Sequence, residues 1–85
     1  MTEEGSREVQ RDTARRALQA AAVEAFGRPG AYVTRDLVMR RAGMTDSGTF
    51  VRIAEYLERR GWIAEADADY GVFVLTPAGI DEAMR

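Results

Sequence analysis

The sequence predicts a mainly α-helical fold with one small antiparallel β-hairpin, an α+β chain forming a single domain over residues 1–85. Three observations carry that expectation. Apolar residues recur at three- and four-residue spacing around Leu18 and again from Phe50 to Leu57, the signature of helices with one buried face. Gly and Pro interrupt the pattern at 27–30, 43 and 61. After Gly61 the segment WIAEADADYGVFVL reads as two short strands around an acidic turn, and TPAG closes it.

Taken in order, residues 1–5 are polar and predict a frayed tail. Ser6 is the expected N-cap of a first helix whose buried face holds Leu18, Ala21, Ala22, Ala25 and Phe26. Arg7, Arg11 and Arg15 form a row at four-residue spacing with Glu8 and Asp12 beside it, either a solvated, paired face or one turned to phosphate. GRPG ends this helix, with Gly27 as the expected left-handed residue after it. Ala31-Tyr32-Val33 reads as a very short strand. Thr34 caps a second helix over 35–42, with Leu37, Val38 and the stem of Arg41 inward. Gly43 makes a tight turn, and Thr45 or Asp46 caps a third helix running to about residue 60. Phe50, Ile53, Ala54 and Leu57 are its inward stripe. Strands over 62–66 and 70–75 follow, then a short helix capped by Thr76 with Pro77 at its first position.

Composition narrows the chemistry. The chain has 85 residues, 46% hydrophobic, with no cysteine and no histidine. Disulfides, thiolate chemistry and histidine-based catalysis or metal binding are therefore excluded. No apolar run approaches the ~18 residues that cross a bilayer, and the N-terminus lacks the apolar centre of a signal peptide. A cytoplasmic protein without membrane contact is expected. The net charge of −2 is unevenly spread, and every basic residue is Arg. Residues 27–61 carry seven Arg against four acids, while residues 62–85 carry one Arg against five. The basic character sits in the middle third, where a binding surface for a polyanion would lie.

The order helix, short strand, helix, tight turn, helix, hairpin, helix resembles the winged helix-turn-helix superfamily. Leu37…Ala42-Gly43-Met44-Thr45 carry the resemblance at the turn, and Phe50…Ile53…Leu57-Glu58-Arg59-Arg60-Gly61-Trp62-Ile63 carry it through the third helix. Leu75-Thr76-Pro77-Ala78-Gly79-Ile80 is similar to the LTPxG close of many members. The resemblance covers about residues 14–84. It implies a small DNA-binding protein, a transcriptional regulator, that lays its third helix (46–60) in the major groove. The hairpin would then be the wing.

With Phe50, Ile53 and Leu57 inward, Gly48, Arg52, Glu55 and Arg59 form the opposite stripe of the third helix. Arg52 is the expected base reader, since its two-pronged guanidinium fits guanine O6 and N7. Thr49 offers a hydroxyl or methyl, and Tyr56 and Arg59 offer phosphate contacts. Ser47 and the amides at the helix start suit a phosphate, and Arg35 would sit near the backbone. Glu55 is spaced to pair with both Arg52 and Arg59, or to accept from cytosine N4.

The hairpin points elsewhere. Its turn holds Glu65, Asp67 and Asp69 and no basic residue. Alternation puts Ile63, Phe73 and Leu75 inward and Trp62, Ala64, Tyr70, Val72 and Val74 on the other face. Either the first helix bends over that face, or Trp62, Tyr70, Val72 and Val74 form a protein interface, between two copies or with another partner. A winged-helix module that binds protein through this face or through the acidic wing is the alternative function. The acids do not form a calcium loop, because Tyr70 stands where Gly is needed and Thr76 where a bidentate Glu is needed. GRPG lacks the Lys and spacing of a phosphate loop. The reading includes no enzyme activity, no metal, no cofactor and no small-molecule substrate.

Overall fold

The computed structural model describes residues 3–85, with side chains described from Arg11 onward. Its elements are α1 (Glu3–Glu24), β1 (Tyr32–Thr34), α2 (Arg35–Ala42), α3 (Ser47–Arg59), β2 (Ile63–Asp67), β3 (Val72–Leu75) and α4 (Pro77–Ala83). This is the expected α+β order. The strands do not stand as an isolated hairpin, however. All three join one antiparallel sheet in the order β1-β3-β2, so β3 is central and Tyr32 lies opposite Val74.

Helix α1 spans 22 residues, about 33 Å at ~1.5 Å per residue. It starts at Glu3, so residues 3–5 are helix and Ser6 lies within it rather than capping it. Two acidic residues at positions 3 and 4 suit a helix start, where the dipole is positive. Residues 1 and 2, and the side chains of Arg7 and Glu8 in the expected arginine row, lie outside the described set. Arg15 of that row is tied down: it donates to the Arg85 carbonyl at 2.8 Å and pairs with Glu82 at 3.5 Å.

Among the described residues, the buried face of α1 is almost all small: Ala14, Ala17, Leu18, Ala20, Ala21, Ala22 and then Ala25. Small side chains let backbones approach closely, and α1 packs against α2, α3 and α4. Among the described residues, the largest side chains with almost no exposure are Leu18, Leu75, Val33 and Val38. Phe50 and Phe73 join α3 to the sheet with ring centroids 6.2 Å apart.

Three inward assignments are corrected. Phe26 is 88% exposed, because it and not Gly27 is the first left-handed residue after α1, at φ 55°. Its N–H bonds to Val23 O and that of Gly27 to Ala22 O, the pair of bonds that closes a helix C-terminus. This reversal of the chain swings the phenyl ring outward. Leu37 is also exposed, since Val38 and Ala42 are the pair that α2 turns inward. The Arg41 stem does not join the core either; its guanidinium meets Glu24 at 2.8 Å.

The TPAG segment is a structural joint. Thr76 Oγ1 accepts from the Gly79 amide at 3.0 Å and donates to the Gly61 carbonyl at 2.6 Å. The Thr76 amide donates to the Trp62 carbonyl at 3.1 Å. One hydroxyl thus caps α4 and holds the exit of α3. Gly79 packs directly on that exit: a Cβ there would fall 1.9 Å from the Trp62 carbonyl oxygen, which no side chain can occupy. No helix among the described residues is long and apolar enough to cross a membrane.

Candidate functional site

The outward face of α3 begins at its cap. Asp46 Oδ1 accepts from the Gly48 amide at 3.1 Å, and Oδ2 accepts the Thr49 hydroxyl at 2.6 Å. The Thr49 hydroxyl, then the Gly48 amide, hold the Asp46 carboxyl below the ordinary carboxylate range, and the positive charge of Arg52 adds to the effect. A carboxylate therefore already occupies the helix start, next to exposed Ser47. The Thr49 proton is committed to Asp46, which leaves its methyl and its lone pairs for any ligand.

Beyond the cap, Arg52, Glu55 and Arg59 are exposed along one stripe, and Val51 is exposed on the flank. The ion pairs among the described side chains involve Arg15, Arg35, Arg41 and Arg85, so Arg52, Glu55 and Arg59 take no part in them. Glu55, Glu58 and Arg59 line a shallow depression near the end of the helix. Tyr56 points differently. It is half-buried and meets Trp62 edge-on, with centroids 6.2 Å apart and planes at 81°. The Arg60 guanidinium covers the Trp62 ring at 5.1 Å. Tyr56, Trp62 and Arg60 thus form a small stack where α3 ends. Of this stack, sequence reasoning overlooked Arg60, because its partner sits across the Gly61 turn.

Arg35 sits against the hairpin turn. Its amide donates to the Gly71 carbonyl at 2.8 Å, and its side chain meets Asp36 at 3.5 Å. Gly71 has φ +63°, and a Cβ there would sit 3.1 Å from Arg35 Cβ. The start of α2 and the end of the hairpin turn are therefore in direct contact, with the guanidinium lying along the glycine. Of the six residues expected at a nucleic-acid surface, Ser47, Arg52 and Arg59 are exposed on α3. Thr49 and Tyr56 are half-buried on its flanks, and Arg35 is at the hairpin.

The acidic turn has a structural task. Asp67 Oδ1 accepts from the amides of Asp69 at 3.1 Å and Tyr70 at 3.4 Å, so its carboxylate shapes the turn. The pairing slips between Glu65 and Asp67, a bulge that leaves Ala66 unpaired. With exposed Glu65 and Asp67, the bulge also blunts the free edge of β2 against pairing with other chains.

The four residues expected at a protein interface lie on different elements. Val72 and Val74 stand on central β3 and are half-buried. Trp62 precedes β2 and belongs to the Tyr56 stack, and Tyr70 is in the turn, 79% exposed. The neighbour that the sequence reading missed is Tyr32, 78% exposed, in a cross-strand row with Val74 and Ala64. Strand β1 has only three residues, so its place beside β3 left no pattern to read. Helix α1 packs on the other helices, and Tyr32 and Ala64 remain exposed on the sheet.

Comparison of the chain with protein-family models, with curated proteins and with solved structures finds no match.

Proposed function

We propose that this chain is a winged-helix protein that binds double-stranded DNA through α3, with β2 and β3 as its wing. Within that class we assign it to the small cytoplasmic regulators of transcription. The observation that carries the reading is the exposed stripe of α3, on which Arg52 and Arg59 stand without an ion-pair partner among the described residues. An uncommitted guanidinium on a rigid helix is the group best suited to guanine or phosphate. The middle third, which contains this helix, is also the one region with an excess of Arg over acid. The acidic turn fits as a wing that shapes itself through Asp67 and leaves DNA contact to the helix. A salt series with random-sequence duplex DNA tests this. Affinity should fall steeply as salt rises, and absence of binding at ~50 mM salt would refute it.

A second reading has its own support in the Tyr32, Val74 and Ala64 row. An exposed aromatic beside aliphatic neighbours is the make-up of a protein contact, with a second copy or another partner. Sedimentation of the wild type and of Tyr32→Ser over a concentration series tests the case of a homodimer. A wild type that stays monomeric at every concentration excludes it.

A further inference from the structure

We infer that Glu55 is a specificity-determining residue of the α3 face, one that selects cytosine at the base pair next to the guanine held by Arg52. The inference rests on the DNA-binding reading above. Glu55 lies centrally on the exposed stripe, three residues after Arg52 and four before Arg59. That spacing favours ion pairs on a helix surface, yet Glu55 takes part in none of those among the described residues. Its carboxylate is exposed and uncommitted. On a surface that only coats phosphate, a central carboxylate would repel what it faces. Opposite base edges it discriminates.

Three residues advance about 4.5 Å along a helix axis, close to the ~3.4 Å step between base pairs. Arg52 and Glu55 therefore reach neighbouring pairs. An ionised carboxylate only accepts hydrogen bonds, so guanine O6 and N7 and thymine O4 repel it. Cytosine N4 and adenine N6 donate, but adenine also presents the N7 lone pair beside N6. Cytosine is the base left without an opposing acceptor. Two adjacent G·C pairs, one read by each residue, are the expected centre of the site.

Selection from randomised duplexes, followed by affinities for single-pair variants of the selected site, tests the assignment with wild type, E55A, E55Q and R52A. Wild type should prefer cytosine at one pair by about tenfold, a discrimination ordinary for one such contact. E55A should flatten that pair alone. E55Q should move it toward adenine, because an amide matches N6 and N7 together. R52A should flatten only the neighbouring guanine. If E55A and E55Q keep the wild-type preference at every position while still binding duplex, the assignment of Glu55 falls and the DNA-binding reading stands. If wild type binds no duplex at ~50 mM salt, both fall.

Discussion

The outward face of α3 is exposed and the outer face of the sheet is exposed at Tyr32 and Ala64, and the two are built from opposite chemistry. The α3 stripe is Arg52, Glu55 and Arg59 after a carboxylate cap, whereas the sheet row is Tyr32, Val74 and Ala64. Charges on a stripe that takes part in no ion pair among the described residues suit a charged, hydrogen-bonding ligand. An aromatic beside aliphatic residues suits apolar contact. The two elements are joined through Gly61 and Trp62, between the end of α3 and the start of β2. That joint is held by Thr76 and Gly79. Charged and apolar faces on one small chain need not compete, because a single junction keeps them on different elements.

Breaking the junction should therefore disturb both faces at once and give the largest effect. In Gly79→Ala the new methyl would coincide with the Trp62 carbonyl, so α4 must move off the α3 exit. A loss of about 3 kcal/mol is expected, at the upper end for overpacking at a close contact. A urea unfolding curve measures it, and the emission of Trp62, the single tryptophan, reports on the joint itself. A midpoint within error of wild type would mean that α4 is not seated on Trp62.

The middle range of effects separates the faces. On the proposed reading, Arg52→Ala costs ~1–3 kcal/mol of discrimination at one base pair. Arg59→Ala lowers affinity for all sequences alike and reduces the salt slope by about one. Neither should change sedimentation. Tyr32→Ser should do the reverse, altering any self-association while leaving DNA affinity as it was. Crossed results, with Tyr32→Ser weakening DNA binding as much as Arg52→Ala, would end the division between the faces.

How much of this was legible in the sequence follows from the range of the interactions. Caps and turns are local, so Asp46, Thr76 and the Gly43 turn were readable from neighbouring residues. The strong 3.6-residue stripe of Phe50, Ile53 and Leu57 placed the stripe opposite it, and with it Arg52 and Arg59. What escaped depended on distant partners. Trp62 meets Tyr56 and Arg60 across the Gly61 turn, a set of contacts that helical spacing alone does not announce. Tyr32 entered the row only through pairing with a strand some forty residues on. Leu37 and Phe26 failed for another reason: apolar residues at helical spacing need not point inward where a helix is short or has just ended.

Asp46 sharpens the α3 side alone. Its folded carboxyl is held below the ordinary range by the Thr49 hydroxyl and the Gly48 amide. The folded state therefore favours the ionised form more than the unfolded state does. The stability this contributes is fully present above the ordinary carboxylate range and is lost as pH falls through the lowered folded value. Asp46→Ala should lower the urea midpoint at neutral pH, and the gap from wild type should narrow on acidification. A gap that stays constant down to strongly acidic pH would show that the carboxylate charge is not what stabilises the helix start.

The smallest effect is a gain. Phe26 holds a left-handed backbone at φ 55° and is 88% exposed, so its strain is not offset by burial. For a residue with a Cβ this region costs about 1–2 kcal/mol, and glycine adopts it without that cost. Glycine gives back part of the gain through its freer unfolded chain, so Phe26→Gly should stabilise by roughly 1 kcal/mol or somewhat less. Phe26 lies on neither face compared above, so DNA affinity and sedimentation should be unchanged. Val23 and Met84 are exposed as well, and Met84 Cε comes within 3.9 Å of where a Gly27 Cβ would stand. If Phe26→Gly stabilises the fold yet abolishes an association seen in the wild type, the strain at Phe26 serves a contact at this end of α1. The sheet row would then lose its claim as the apolar contact surface.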